Sequence, residues 1–355
     1  MELLKTFTIA FVFINLLAVS AHDRPVIGVL TTTASDISAW YSSRNYSYIP
    51  YSYVQFIEAA GARVIPIPYD ASPENLTYLF NQVNGILFTG GGAPLNYTDP
   101  ETGKLGPANM TRVGDFLIRK VIEAKNEGRH VPLMTTCQGW EILVLAISKN
   151  YDILNTNYTD YAVSSSVQLT KDAFRSGPWA SLPADLQNAT QNLPLFYYAH
   201  SFALTVEDFY KDRHLREFLE VTGTSIPVNG GAPVFVAAAQ GRHYPIWGHQ
   251  FHPEKNAFLW KEGSNVSHAR EAIFITQHYA NFFVNEARKN NVTFESEQVL
   301  ADSLIYNWNI SDAGKVSSFD KAYLFPEVEK YPEYYPNLFP KHTRNNKDHH
   351  HYLRK

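Results

Sequence analysis

Cys137 is the only cysteine in a chain of 355 residues, and its neighbours read as the setting of a nucleophile. Pro132, Leu133 and Met134 are apolar and strand-like. Gly139 followed by Ile142, Leu143, Leu145 and Ala146 predicts a tight turn into a helix that ends near Ser148. A thiol on such a turn stands at the carboxyl edge of a sheet. The adjoining helix N-terminus supplies N–H groups without intrahelical partners and a positive potential. Both favour a thiolate, and the same N–H groups can hold the oxyanion of a tetrahedral intermediate. An inert cysteine buried at a strand end fits the same local pattern.

A thiol nucleophile needs a base in reach and a group that orients the base. Among 13 histidines, His252 stands out because it follows the apolar stretch from Tyr244 to Phe251 and precedes the rigid Pro253. Glu254 comes two residues later, and its carboxylate can accept from the far ring nitrogen if the turn folds back. His249, on the same strand, reads as packing or support. His200, after Tyr198 and Ala199 at another strand end, could line a pocket or bind substrate. His268 reads as an ordinary helix-start residue, and His349, His350 and His351 as solvated tail. Gly90, Gly91 and Gly92 directly follow the strand-like Asn84–Phe88, where glycines let the backbone approach a reacting group and present N–H donors. A glycine triplet is more often only a turn, and this one has neither dinucleotide-fingerprint spacing nor the Lys-Ser/Thr of a phosphate loop. No closely spaced Cys/His/Asp cluster on one element predicts a metal.

The elements that must position these groups alternate. Pro25–Leu30 predicts a buried strand, Tyr51–Ala60 a helix capped by Gly61, and Arg63–Ile67 a strand in which Pro66 favours an edge or strand-end position. Asn84–Phe88 follows as a third strand. Residues 93–108 read as a long polar loop, and Val113 to Ala124 as an amphipathic helix ending near Gly128. This order predicts α/β construction on a mostly parallel central sheet with helices on both faces. The middle is less regular: Val163–Leu169, Phe196–Tyr198 and Val234–Ala239 have strand composition, separated by expected surface excursions. A long helix is expected from Ser267 to Arg288. No repeat or linker appears, so the expected organisation is a leader over 1–21, one catalytic domain over 22–312, and an extension over 313–355 packed on or trailing from it.

Lys5, the apolar run Phe7–Val19 and the small residues Val19 and Ala21 form a signal-peptide pattern with cleavage after Ala21. Asn-x-Ser/Thr sequons at Asn45, Asn75, Asn96, Asn109, Asn157, Asn188, Asn265, Asn291 and Asn309 agree with a secretory route. No other run approaches the ~20 apolar residues needed to span a bilayer. One cysteine excludes an intrachain disulfide, and in an oxidising lumen a lone thiol is buried, bridged to another chain, or used. A hydrophobic content of 45% with 18% charged residues argues for a packed core, and a net charge of −4 gives no reason to expect nucleic acid as a partner.

Five segments, in order, resemble the gamma-glutamyl hydrolase (folate conjugase) family within the class I glutamine-amidotransferase-like superfamily. They are Pro25–Gly28, Asn84–Gly91, Thr136–Glu141, His249–Lys255 and Phe282–Lys289. The resemblance implies the class I glutamine-amidotransferase-like fold, with Cys137 as nucleophile, His252 as base and Glu254 as third member. It implies oxyanion donors at Gly91 and Gln138, and a substrate side that includes Gly90 and His200. It also implies hydrolysis of gamma-glutamyl bonds in folylpoly-gamma-glutamates without a cofactor, a secreted, lysosomal or vacuolar location, and a homodimer. Thr135, Gln138 and Trp140 depart from the commonest residues of the family and are expected to narrow the pocket or alter specificity. Lys104, Arg112 and Lys255 are cations available to a polyanionic tail, each otherwise read as surface charge. Two other readings stay open: a hydrolase of simpler gamma-glutamyl peptides or glutamine, and a non-catalytic secreted glycoprotein on the same scaffold.

Overall fold

The computed structural model describes residues 23–34, 46–313, 317–328, 330, 335 and 338–339. The apolar leader, Asn45 and His349–His351 lie outside them. Eight strands form the central sheet, in the order Gln168–Leu169, Leu219–Ser225, Phe235–Gly241, Ile246–His249, Leu133–Thr136, Gly85–Phe88, Val26–Leu30 and Arg63–Ile67. The last five run parallel, and the first three are joined antiparallel. Arg63–Ile67 lies at the edge, as Pro66 requires of a residue without an N–H to donate. Parallel strands are covered on both faces. The helices accordingly fall into two packed groups: Pro73–Phe80, Asn109–Asn126 and Gln138–Ser148 in one, Tyr51–Glu58, Gly177–Ala180 and Arg270–Ala287 in the other. No helix among the described residues is long and apolar enough to cross a membrane.

Three segments carry structure beyond the sequence expectations. The 93–108 loop contains a short antiparallel pair, Asn96–Thr98 with Leu105–Pro107. Leu219–Ser225 is a full strand of the main sheet, although Glu220 and Gly223 break its apolar pattern. Glu220 accepts a hydrogen bond from Gln240 at 2.7 Å and pairs with Arg242 at 3.4 Å, so its charge does not prevent burial. The segment after Asp312 supplies the strand Lys321–Pro326, which pairs with Tyr46–Pro50. With Ile310–Asp312 and Thr32–Thr33 these make a second, four-stranded sheet.

Thr31, Thr89 with the glycine turn, Cys137 and Gln250 all follow the carboxyl ends of parallel strands. Ligands of open α/β sheets settle outside that edge. The small sheet stands beside it, carrying Tyr48 and Phe319, whose rings stack with centroids 5.3 Å apart.

Candidate active site

Cys137 occupies the single-residue joint between the strand Leu133–Thr136 and the helix Gln138–Ser148, with φ +51° and ψ −112°. A non-glycine residue held there carries strain of roughly 1–3 kcal/mol, tolerated only where the surroundings determine it. They do: Cys137 N–H donates to His249 O at 2.9 Å and Gly139 N–H to Thr89 O at 3.0 Å. Gly139 is required for this approach, since a Cβ there would lie 2.7 Å from both Phe88 Cβ and Phe88 O. Gln138 opens the helix, so its N–H has no carbonyl one turn behind it, and that N–H lies against the Cys137 thiol.

The His252 turn folds back as its sequence suggests it can. His252 Nδ1 and Glu254 Oε1 are 2.9 Å apart, with Glu254 0% exposed. The Tyr53 hydroxyl accepts from Gly90 N–H at 2.7 Å and lies 3.3 Å from His252 Nδ1. It therefore ties the glycine turn to the His–Glu pair. A Cβ at Gly90 would meet His252 Cε1 at 2.7 Å, the Tyr53 hydroxyl at 3.0 Å and Cys137 Cβ at 3.3 Å. Both Cys137 and His252 thus close on Gly90, where only hydrogen fits. The thiol faces Ala199 O at 3.9 Å, and His252 Nε2 has no hydrogen-bond partner among the described residues.

These groups line one cleft of about 200 Å³ together with Tyr48, Tyr161, Lys255 and Ser317–Phe319. Burial pushes the Cys137 thiol up, with Glu141 and Glu254 adding to it and Lys255 and the Gln138 N–H opposing. Burial, then Lys255, holds His252 below its ordinary value, with Glu254 opposing. The resting pair is therefore thiol and neutral imidazole, the forms from which a base can take a proton. Among the described residues no three His, Cys, Asp or Glu side chains are grouped to hold a metal ion.

Other expected positions fall as follows. Gly91 is exposed at the cleft beside Gln138. The Gln138 side chain turns out of the cleft, its Oε1 accepting from Ala93 N–H at 3.2 Å and its Nε2 donating to Ala93 O at 2.8 Å. It staples the glycine turn to the elbow and does not narrow the pocket. Trp140 is likewise fully buried, packed against Gly248 on the neighbouring strand. His200 sits behind the lining residue Ala199, with Nδ1 2.9 Å from Phe202 O and its ring among Tyr158, Tyr198 and Phe235. Burial lowers it to about 4. His249 packs on Phe251 and lies 2.9 Å from Thr136 Oγ1. Lys104 and Arg112 are exposed and do not line the cleft. Lys255 is not the surface charge it was expected to be: it is only 4% exposed and faces the cleft. Tyr53 and the wall from Ser317 to Phe319 are site residues that sequence reasoning missed, and Lys255 is one it offered as a cation for the substrate but weighed as surface charge. The one available signal was the position of Lys255, directly after the His-Pro-Glu turn.

The mostly parallel sheet carries a cysteine elbow at its carboxyl edge, and its relatives make this a cysteine-type hydrolase of class I glutamine-amidotransferase-like fold. Residues 25–159 match the Peptidase C26 family. The chain is 35% identical to the gamma-glutamyl hydrolase of Glycine max over 309 residues, 86% of each chain. It is 33% identical to that of Homo sapiens over 304 residues, 85% of this chain and 90% of the human one. A solved glutamine amidotransferase from Thermotoga maritima superposes over 75% of this chain and 99% of its own, at a TM-score of 0.41 and 12% identity. The chain belongs to the gamma-glutamyl hydrolase family.

Proposed function

We propose that this enzyme cleaves gamma-glutamyl bonds of folylpoly-gamma-glutamates through a thioester on Cys137. The observation that carries the reading is the convergence of Cys137 and the hydrogen-bonded His252–Glu254 pair on Gly90 in one cleft. Neutral His252 takes the thiol proton through Nε2, and the sulfur attacks the gamma-amide carbon. The N–H groups of Gly91 and Gln138 hold the oxyanion, and losing one such donor costs about 3 kcal/mol of barrier. The C–N bond breaks as His252 gives the proton to the departing amine. Water, deprotonated by His252, then adds to the thioester, and the sulfur leaves to recover its proton. Glu254 fixes the ring and stabilises the imidazolium, while Tyr53 holds the glycine turn in register with it.

The same reading places the enzyme in the secretory lumen, secreted or in a lysosome or vacuole. Exposed sequons at Asn96, Asn109, Asn157, Asn188, Asn265, Asn291 and Asn309, and a half-buried one at Asn75, support glycosylation. A base held below the ordinary histidine value stays unprotonated further into mild acid, which suits an acidic compartment.

The test is release of glutamate from a folylpoly-gamma-glutamate by the mature protein beside Cys137→Ala. Turnover by the first and none by the second is expected, with a covalent adduct on Cys137 by mass spectrometry. Full activity in the alanine protein would end the thiol mechanism. No turnover by either would end the substrate assignment.

A further inference from the structure

Lys255 is a buried side chain whose ammonium has no acceptor among the described residues. It lies 4% exposed in the cleft wall with Cys137 and His252, its Nζ 4.7 Å from the centre of the Tyr197 ring. Among the described residues no oxygen accepts a hydrogen bond from Nζ, and no carboxylate lies within ion-pair distance of it. The neighbouring carboxylate is no exception: Glu254 turns Oε1 to His252, and among the described residues it forms no ion pair with Lys255. A cation taken largely out of water is costly unless an anion meets it, and Lys255 opens onto the substrate cleft.

Building on the proposed function, we infer that Lys255 receives the α-carboxylate of the glutamyl unit whose gamma-carbonyl Cys137 attacks. A gamma-linkage leaves that carboxylate free, a short aliphatic spacer away from the scissile carbon, whatever amine departs. An ordinary α-peptide bond consumes it. One buried cation beside the nucleophile therefore selects an acyl unit that carries this second carboxylate over a neutral one. It also keeps the acyl unit anchored while the thioester waits for water. The aromatic face of Tyr197 holds the ammonium in place without competing as an anion.

The experiment uses three N-acylated gamma-glutamyl-glutamate substrates. One is unmodified, one has the acyl-side α-carboxylate as the carboxamide, and one has the leaving-side α-carboxylate as the carboxamide. In the wild-type enzyme the acyl-side carboxamide is expected to lower kcat/KM by roughly 30-fold or more, the scale of a desolvated charge pair. Lys255→Met should cleave the unmodified and acyl-side substrates at nearly equal, low rates. Lys255→Arg should retain the order of preference, and the leaving-side change should act alike in all three proteins. Lys255→Met that still prefers the acyl-side carboxylate overturns the inference. So does equal slowing of both substrates with the preference intact, which would make Lys255 an aid to the thiolate alone. Should the methionine protein fail to fold, equal wild-type rates on the first two substrates still overturn it. Wild-type enzyme that cleaves no gamma-glutamyl peptide at all refutes the proposed function itself, a separate result.

Discussion

Glu141 lies one turn into the helix that starts beside the nucleophile, and its carboxyl is almost wholly buried with Gln250 Nε2 at 2.9 Å as donor. Burial raises it from 4.5 to about 7, with the Gln250 bond opposing. A carboxyl raised on folding works against the native state as pH rises. The unfolded chain releases the proton near its ordinary value, while the folded chain keeps it until about 7. Stability is therefore lost between those two values and the loss is complete above the upper one. A shift of this size corresponds to about 3 kcal/mol. Glu141→Gln keeps an oxygen for Gln250 and removes the titration. Denaturant unfolding at pH 5 and pH 8 should show the variant retaining about 2 to 3 kcal/mol that the parent loses over that interval. Because Glu141 also helps to hold the Cys137 thiol up, iodoacetamide should alkylate the variant faster at pH 8. Identical pH dependence of stability in the two proteins would refute the assignment of Glu141 as a neutral buried acid.

Glu254→Gln should leave the melting temperature near that of the parent while lowering kcat by about 10³- to 10⁴-fold, because the ring loses the partner that sets its tautomer. Activity within tenfold of the parent would remove Glu254 from the machinery. Gly90→Ala places a methyl 2.7 Å from His252 Cε1. The displaced ring should cost about 100-fold in kcat, together with a fall in melting temperature. Glutamate release and differential scanning fluorimetry read both, and an unchanged kcat would mean that the ring yields freely.

The core of the site was legible because its groups are local. Cys137 sits in a strand-turn-helix pattern, and His252 and Glu254 share one turn, so short-range spacing carries their relation. The sheet was legible in the segments whose apolar runs exceed their polar interruptions, as in Val26–Leu30 and Gly85–Phe88. Leu219–Ser225 was not, because its burial depends on a hydrogen bond from Gln240 on the next strand and the charge of Arg242 just beyond it, both meeting Glu220. Tyr53 was hidden for a similar reason: its hydroxyl matters only where Gly90 and His252 meet, and nothing in the residues around it announces that meeting. Lys255 was misread because a lysine after a turn is usually solvated. Only the closing of the Tyr197 ring and the cleft wall around it shows otherwise.

The small sheet has a bearing on how the enzyme comes into being. Tyr46–Pro50, which leaves the ribosome early, finds its partner Lys321–Pro326 only after nearly all the intervening chain has followed. Ser317, Ser318 and Phe319, just ahead of that partner, form a wall of the cleft. A nascent chain can therefore fold its parallel sheet and set its elbow while the cleft still lacks one side. Competence to grip a substrate comes late in synthesis, once the segment beyond Asp312 has emerged to complete the wall.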